Sequence, residues 1–511
     1  MKKFLRIISH RLVLVSFSIL AQIAIIALTV IRSGRYSMYF TAFCTVLSMI
    51  AVLVIVNRRT NPGYKIAWII PILALPIFGW VLYALFGGNK INRRTRKKLA
   101  EIGHRMHKIL PPAEATVAAI ERINEDAARQ SRYIQDCAYC PPHRRTESLY
   151  LPGGEAMFAR MLEDISRAQH FIFLEYFIIQ EGLMWNSLLN ILIRKAREGL
   201  DVRLIYDDVG CIMTLPYHYY KMLEEAGIQC CVFNPFIPVV SARLNNRDHR
   251  KICVIDGNIG YTGGVNLADE YINEYEKHGY WKDAAIRLHG EGVWNLTVMF
   301  LSMWDYIRGM EEDYERFRPG LYLPLPNADD GFVQPYSDSP LDHETVGETV
   351  YLNLIHRARR YVYITTPYLI LDNEMNTALC MAAKSGIDVR IITPHVPDKW
   401  YVHMLSRSHY TELVESGVQI YEFTPGFIHA KTMIVDDEYA TVGTINLDYR
   451  SLYLHYECGV WLFHTQSVLS AKRDFMTTLA SSRRFTEEDC HRIPLYKRLL
   501  SSLLRAFAPL L

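Results

Sequence analysis

Apolar residues gather first at the N-terminus, in runs from Leu12 to Ile31, Tyr39 to Val56 and Ile66 to Phe86. Each approaches the ~20 residues that cross the hydrocarbon core of a bilayer, so the pattern predicts three spans. The first run is long for a signal peptide and lacks a small-x-small cleavage site. The third contains Pro71 and Pro76, which kink a helix, and ends on Trp80, Tyr83 and Phe86 before Gly87-Gly88, aromatics suited to a membrane interface. From about Leu99 to Ile134 the pattern turns polar with a helical period. Residues 89–147 therefore read as a basic helical connector that stands the next domain off the membrane, closed by Pro141-Pro142.

Beyond the connector the pattern switches to buried strands alternating with helices, and it does so twice. The runs His170 to Ile179 and Arg360 to Leu369 each open a unit. A helical stretch and a matching strand follow each: Gly199-Leu200-Asp201-Val202-Arg203-Leu204-Ile205 in one and Gly386-Ile387-Asp388-Val389-Arg390-Ile391-Ile392 in the other. This predicts an α/β fold of two duplicated halves, residues 148–310 and 346–482, built on largely buried sheets. Residues 311–345, rich in Pro, Gly, Asp and Ser, read as a linker. In the tail, residues 483–511, Lys497, Arg498 and Arg505 stand among leucines, an amphipathic helix that either lies on a membrane or packs on the domain.

The duplication extends to polar residues. His249-Arg250-Lys251-Ile252-Cys253-Val254-Ile255-Asp256 recurs as His429-Ala430-Lys431-Thr432-Met433-Ile434-Val435-Asp436, and Asn266 and Asn446 each follow their His by seventeen positions. Packing alone does not require the same polar set twice. Read as a strand, each motif projects His and Lys from one face, while the Asp, at an odd offset, points to the other. Asp256 and Asp436 are therefore structural first. Two His, two Lys and two Asn suit an anionic phosphorus centre: ammoniums and amides stabilise its oxygens while an imidazole attacks or protonates. Charge supplied by Lys makes a metal unnecessary, and the adjacent pairs Asp207-Asp208 and Asp436-Asp437 read as strand-end charges. An attacking imidazole needs its other nitrogen held by an acceptor, for which Asp283 and Glu457, placed after the first and second motifs, are the candidates.

A net charge of +3 with 50% apolar and 21% charged residues excludes a strongly basic nucleic-acid protein. Basic residues are locally dense at Lys90, Arg93, Arg94, Arg96, Lys97 and Lys98, a run suited to anionic headgroups. With three spans, Lys2, Lys3, Arg6, Arg11, Arg58, Arg59 and Lys65 balance Arg32, Arg35 and that run, so loop charge alone does not orient the chain. The dense run and cysteines set in apolar stretches, such as Cys253, Cys380 and Cys458, favour a cytoplasmic catalytic region. Cys137-x-x-Cys140 lacks a second ligand pair at zinc spacing.

The paired motifs, across residues 148–482, resemble the phospholipase D superfamily. Within it, Asn61-Pro62-Gly63, Pro76-Ile77-Phe78-Gly79, Asp269-Glu270-Tyr271 and Asn446-Leu447-Asp448-Tyr449-Arg450-Ser451 are similar to bacterial cardiolipin synthases, many of which have two apolar spans rather than three. The resemblance implies one site between the halves, with His249, Lys251, Asp256, His429, Lys431 and Asp436 as its signature. By the family's pattern His249 becomes a phosphohistidine and His429 protonates the leaving group, the reverse assignment staying open. Lys251, Lys431, Asn266 and Asn446 would hold phosphoryl oxygens, and Glu175, Arg450 and Ser451 would fall near the cleft. The implied reaction, without cofactor, joins two membrane phosphatidylglycerols into cardiolipin and glycerol. Delivery of water instead would give a phospholipase D-type hydrolase, and a non-catalytic membrane scaffold is the reading from another class.

Overall fold

A computed structural model describes residues 20, 24, 35–58, 60–87, 101, 103, 105–235, 245–326, 330–342 and 344–510. The first apolar run, apart from Leu20 and Ala24, and the basic run from Lys90 to Lys98 lie outside them. The chain divides into two compact units, one of residues 1–92, 236–246 and 499–511 and the other of residues 93–235 and 247–498.

In the first unit the helix Arg35–Val56 contains Met38–Val56, of mean hydropathy 2.4. Among the described residues it is the one helix long and apolar enough to cross a membrane. The run from Ile66 to Phe86, expected as a single kinked span, is instead two helices, Pro62–Ala74 and Pro76–Phe86, broken at Leu75 (φ −137°, ψ 78°). Prolines cause the break, since Pro76 has no amide to continue the first helix and restricts the residue before it. The arms fold back on each other: Trp68 and Tyr83 meet edge-on with ring centroids 5.5 Å apart. Gly79 permits this approach, since a Cβ there would lie 2.4 Å from the Pro71 carbonyl oxygen. At ~1.5 Å per residue the arms reach about 20 and 16 Å, short of the ~30 Å hydrocarbon core.

The second unit carries the duplication strand for strand. Its seven-stranded sheet runs in the order Thr146–Leu151, Ala285–Gly290, Ile259–Gly263, Ile252–Ile255, Phe171–Tyr176, Asp201–Asp207, Gln229–Phe233. The second sheet repeats it as Phe332–Asp338, Glu457–Phe463, Tyr439–Gly443, Thr432–Val435, Tyr361–Thr365, Asp388–Pro394, Gln419–Phe423, with Ser482–Phe485 added at the edge. In each, a wholly buried central strand pairs in parallel with the strand after the crossover helix and antiparallel with the strand just after the His-Lys motif. The crossover helix Leu183–Arg197 buries Met184, Trp185, Leu188 and Leu192, the stripe that a 3.6-residue period lays on a sheet.

Three boundaries move. The latter part of the connector belongs to the second unit: helix Glu125–Ala138 buries Ala127, Ala128, Ser131, Ile134 and Ala138, and Gln130 donates to the Val350 carbonyl at 3.2 Å. Its small residues let it lie flat in the core of the second unit, a stripe that a count of charges hides. Residues 311–345 are not linker throughout, since Phe332–Asp338 forms an edge strand on Glu457–Phe463, and Phe317 packs on Phe171 and Phe173. Residues 483–485, expected in the tail, pair with Gln419–Phe423 and close the second sheet.

Candidate active site

Each His-Lys motif sits just before a strand rather than within one. His249 to Lys251 precede Ile252–Ile255, and His429 to Lys431 precede Thr432–Val435. Both leave their own ladder because their backbones pair with the opposite half. The His249 amide donates to the Tyr456 carbonyl at 2.9 Å, and the His429 amide donates to the Lys282 carbonyl at 2.7 Å. Gly426–Ile428, leading into His429, runs parallel to Tyr280–Lys282.

This exchange delivers each imidazole to a carboxylate of the other half. His249 Nδ1 lies 2.9 and 3.0 Å from the two oxygens of Glu457, and His429 Nδ1 lies 2.7 Å from Asp283 Oδ2. Both carboxylates are fully buried. An acceptor on Nδ1 leaves Nε2 of a neutral ring with its lone pair free, the form that an attacking or proton-accepting imidazole needs. The two expected orienting acids are thus brought to the two expected histidines.

The acids are supported differently. Asp283 Oδ1 accepts from the Ala284 amide at 2.8 Å, and it occupies the space where a Cβ on Gly264 would stand, 2.0 Å away. At the equivalent position the second half has Thr444, whose hydroxyl donates to Glu457. Glycine before the first Asn and threonine before the second are therefore the partners of a close Asp and of a longer Glu.

Lys251 and Lys431 are buried, and the ammonium of each bends back to donate to the carbonyl of its own His, at 2.6 Å in the first case. Burial lowers Lys251 to about 8 against the attraction of Glu457. Burial, with the repulsion of Lys251, lowers Lys431 to about 7. The imidazoles respond to the same field: burial and then the lysines push His249 well below the ordinary range and His429 to about 4. Burial would raise Asp283, but His429 and Lys431 outweigh it and hold its carboxyl below the ordinary value. Groups that feel one another this strongly make one coupled site, in which two buried lysines face two buried acids.

Asn266 and Asn446 are buried, each committed through one amide hydrogen. Asn266 donates to the Tyr271 hydroxyl at 2.7 Å and Asn446 to the Ser451 hydroxyl at 3.1 Å, partners five positions on in both halves. A second amide hydrogen remains on each for an oxygen of a bound anion. Asp256 and Asp436 do not join the cluster. Asp256 accepts from the amides of Gln169, His170 and Phe171 at 2.7–2.9 Å, and Asp436 accepts from those of Arg359, Arg360 and Tyr361 at 2.6–2.9 Å. Both adopt left-handed backbone, φ 50° and 57°, and tie the turn after the motif strand to the start of the central strand.

Of the expected surrounding residues, Ser451 touches Asn446, while Glu175 forms a buried ion pair with Arg250 at 2.5 Å rather than meeting an imidazole. Arg450 belongs to the short helix Tyr449–Tyr453, whose N-cap is Asp448. Sequence reasoning missed His455. Its ring centroid is 5.5 Å from that of His249 and its Nδ1 is 3.8 Å from Glu457 Oε1, too long for a hydrogen bond, and neither ring nitrogen has a hydrogen-bond partner among the described residues. The available signal was its place two residues before Glu457, where Trp281 precedes Asp283; Trp281 packs 5.4 Å from His429 with Tyr271 at 5.6 Å. His249 thus lies between Phe177, at 5.1 Å, and an imidazole, while His429 lies between two aromatic rings.

Among the described residues, two groups have donor atoms close enough to hold a cation: His249, His455 and Glu457, and Glu348, Asp372 and Glu374. In the first, Glu457 is already engaged by His249 and Thr444, and two buried lysines oppose added positive charge.

The chain matches the family model described as cardiolipin synthase, PLD-like domain, over residues 161–283 and 351–479, segments that contain both motifs and both acids. A phospholipase D-nuclease N-terminal model matches residues 46–88. The chain is 44% identical to a Streptococcus mutans protein over 90% of this chain and 99% of that one. It is 35% identical to a cardiolipin synthase of Geobacillus kaustophilus over 92% of each chain. A phosphatidylserine synthase from Haemophilus influenzae has the same fold, with a TM-score of 0.54 at 16% identity, covering 75% of this chain and 97% of that one. Duplicated sheets, reciprocal His–carboxylate pairs and these relatives agree, and the chain belongs to the cardiolipin synthase family of phospholipase D-like enzymes.

Proposed function

We propose that the protein is a membrane-bound cardiolipin synthase that transfers a phosphatidyl group between two phosphatidylglycerols through His249. The observation that carries this reading is the reciprocal pair His249–Glu457 and His429–Asp283 beside two buried lysines. His249 Nε2 attacks the phosphorus of the first lipid, the bond from phosphorus to the glycerol oxygen breaks, and His429 gives that oxygen its proton. Neutral His429 then takes the proton of a second lipid's glycerol hydroxyl, whose oxygen displaces His249 and forms cardiolipin. Lys251, Lys431, Asn266 and Asn446 balance the charge that gathers on the phosphoryl oxygens.

The value of about 4 for His429 belongs to the site without an anion. A bound phosphodiester offsets the lysine charges and raises it, so substrate itself arms the acid. Met38–Val56 supplies one crossing segment of a bacterial membrane protein, and the first apolar run has the sequence length of another. A cytoplasmic catalytic unit is supported by its cysteines, free in every case described.

Purified protein incubated with phosphatidylglycerol and a chelator should release cardiolipin and glycerol in equal amounts. Phosphatidic acid as the main product would make it a hydrolase, and no turnover would revive the scaffold reading.

A further inference from the structure

Helix Leu495–Ala506 buries none of its residues. Leu495, Tyr496, Leu499, Leu500 and Leu503 are 72, 66, 64, 37 and 59% exposed. At ~100° per residue these five fall in one sector of about 140°, while Lys497, Arg498, Ser501, Ser502 and Arg505 fill the opposite side. Its sequence, LYKRLLSSLLRA, contains no acidic residue. Within the unit that holds residues 499–511, the apolar face of the helix is left uncovered.

The residues C-terminal to the helix indicate where that face belongs. Ala508 and Pro509 are buried, and Leu510 packs with Ala51, Ile55, Trp68 and Ile72 of the N-terminal helices. On one of those helices Phe43, Val46, Met49, Ile50, Leu53 and Val54 are 49–64% exposed, a lipid-facing surface on the candidate crossing helix. The helix thus ends within a few residues of a fixed point on the apolar unit. At its start, Arg498 donates to the Cys490 carbonyl at 2.9 Å, which anchors the first turn.

We propose that Leu495–Ala506 is an interfacial helix: its leucines lie in the boundary between headgroups and acyl chains, and its basic face meets the phosphates of anionic phospholipids. The occupant of the apolar face is a lipid surface, on grounds of charge complementarity and continuity with the N-terminal helices. A membrane that presents the anionic substrate is the surface such a helix binds. The inference rests on the membrane-bound reading of the N-terminal unit.

The test uses full-length protein in vesicles of phosphatidylglycerol and phosphatidylcholine, with an environment-sensitive fluorophore on a cysteine introduced by Leu499→Cys, Leu503→Cys, Lys497→Cys or Met49→Cys. Nitroxide lipids labelled near the headgroup should quench the Leu499→Cys and Leu503→Cys probes and spare Lys497→Cys, while nitroxides deep in the chain should quench Met49→Cys. Quenching at Met49→Cys without quenching at Leu499→Cys overturns the interfacial helix alone; no quenching at either site overturns the membrane reading beneath it. Cross-linking of two chains through Leu499→Cys, with fluorescence indifferent to lipid, would assign the face to a second copy and overturn the proposal. The Leu499→Ser/Leu503→Ser variant should lose roughly five-fold or more in activity on vesicle-embedded substrate and retain it on detergent-dispersed substrate.

Discussion

His249 and Glu457 are 208 positions apart and belong to different halves of the duplication, yet Nδ1 of one meets both oxygens of the other within 3.0 Å. His429 and Asp283 make the reverse crossing. If His249 is the nucleophile, Glu457→Gln should lower the rate of phosphoenzyme formation by ~10²–10⁴, since the amide can no longer hold the required tautomer. Rapid-quench trapping with labelled substrate reads this step directly. Asp283→Asn should instead slow transfer to the acceptor, with phosphoenzyme still forming from a lipid with a good leaving group. His249→Ala should abolish the trapped species and His429→Ala should keep it under the same condition; the opposite pattern exchanges the roles.

Gly264 gives a steric version of the same experiment. Alanine there would place Cβ 2.0 Å from Asp283 Oδ1, so the carboxylate must move away from His429. Gly264→Ala should lose ~10²-fold or more in kcat and also lower the thermal transition, since a buried carboxylate loses its partner. Thr444→Val, which deletes a hydroxyl that donates to Glu457 and accepts from the Cys458 amide, should cost about ten-fold.

The buried lysines set a pH limb. With Lys431 near 7 and Lys251 near 8 in the free site, the fall of kcat/KM with pH should steepen through this window, because the neutral amines no longer attract the phosphodiester. The limb on kcat should lie at higher pH, since bound anion raises both values. Stability has the opposite sign: the unfolded lysines hold protons up to ~10.4, so the unfolded state binds more protons between these values and stability should increase with pH there. A pH series of kcat, kcat/KM and chemical denaturation separates the two effects.

Asp256 and Asp436 belong to the motif, but their carboxylates bind backbone amides rather than an imidazole. Asp436→Ala removes an acceptor shared by three backbone amides and should cost roughly 2–4 kcal/mol, while the molecules that remain folded keep their rate of phosphoenzyme formation. A rate that falls with stability unchanged would return the aspartates to the reaction.

The repeat made much of this legible. Matching octets and matching strand runs led to two halves and to His249, Lys251, His429 and Lys431, and the requirement for an Nδ1 acceptor led to Asp283 and Glu457. Which acid serves which imidazole was not legible, because crossing depends on the pairing of Tyr456 with His249 and of Lys282 with His429, contacts without local signature. His455 was hidden because a lone histidine at a strand end has no period. The connector misled because Ala127, Ala128 and Ser131 are too small to stand out as a core face. The hairpin at Leu75 was half legible: two prolines announced a bend but not how far it turns.

The crossed pairs also set a schedule. A ribosome releases the His249 half long before Glu457 emerges, and until the second half docks, that imidazole has no acceptor and Asp283 has no histidine. A partly made chain therefore carries only half of each His–carboxylate couple. Both couples are complete only once the second half, Glu457–Phe463 included, has folded against the first.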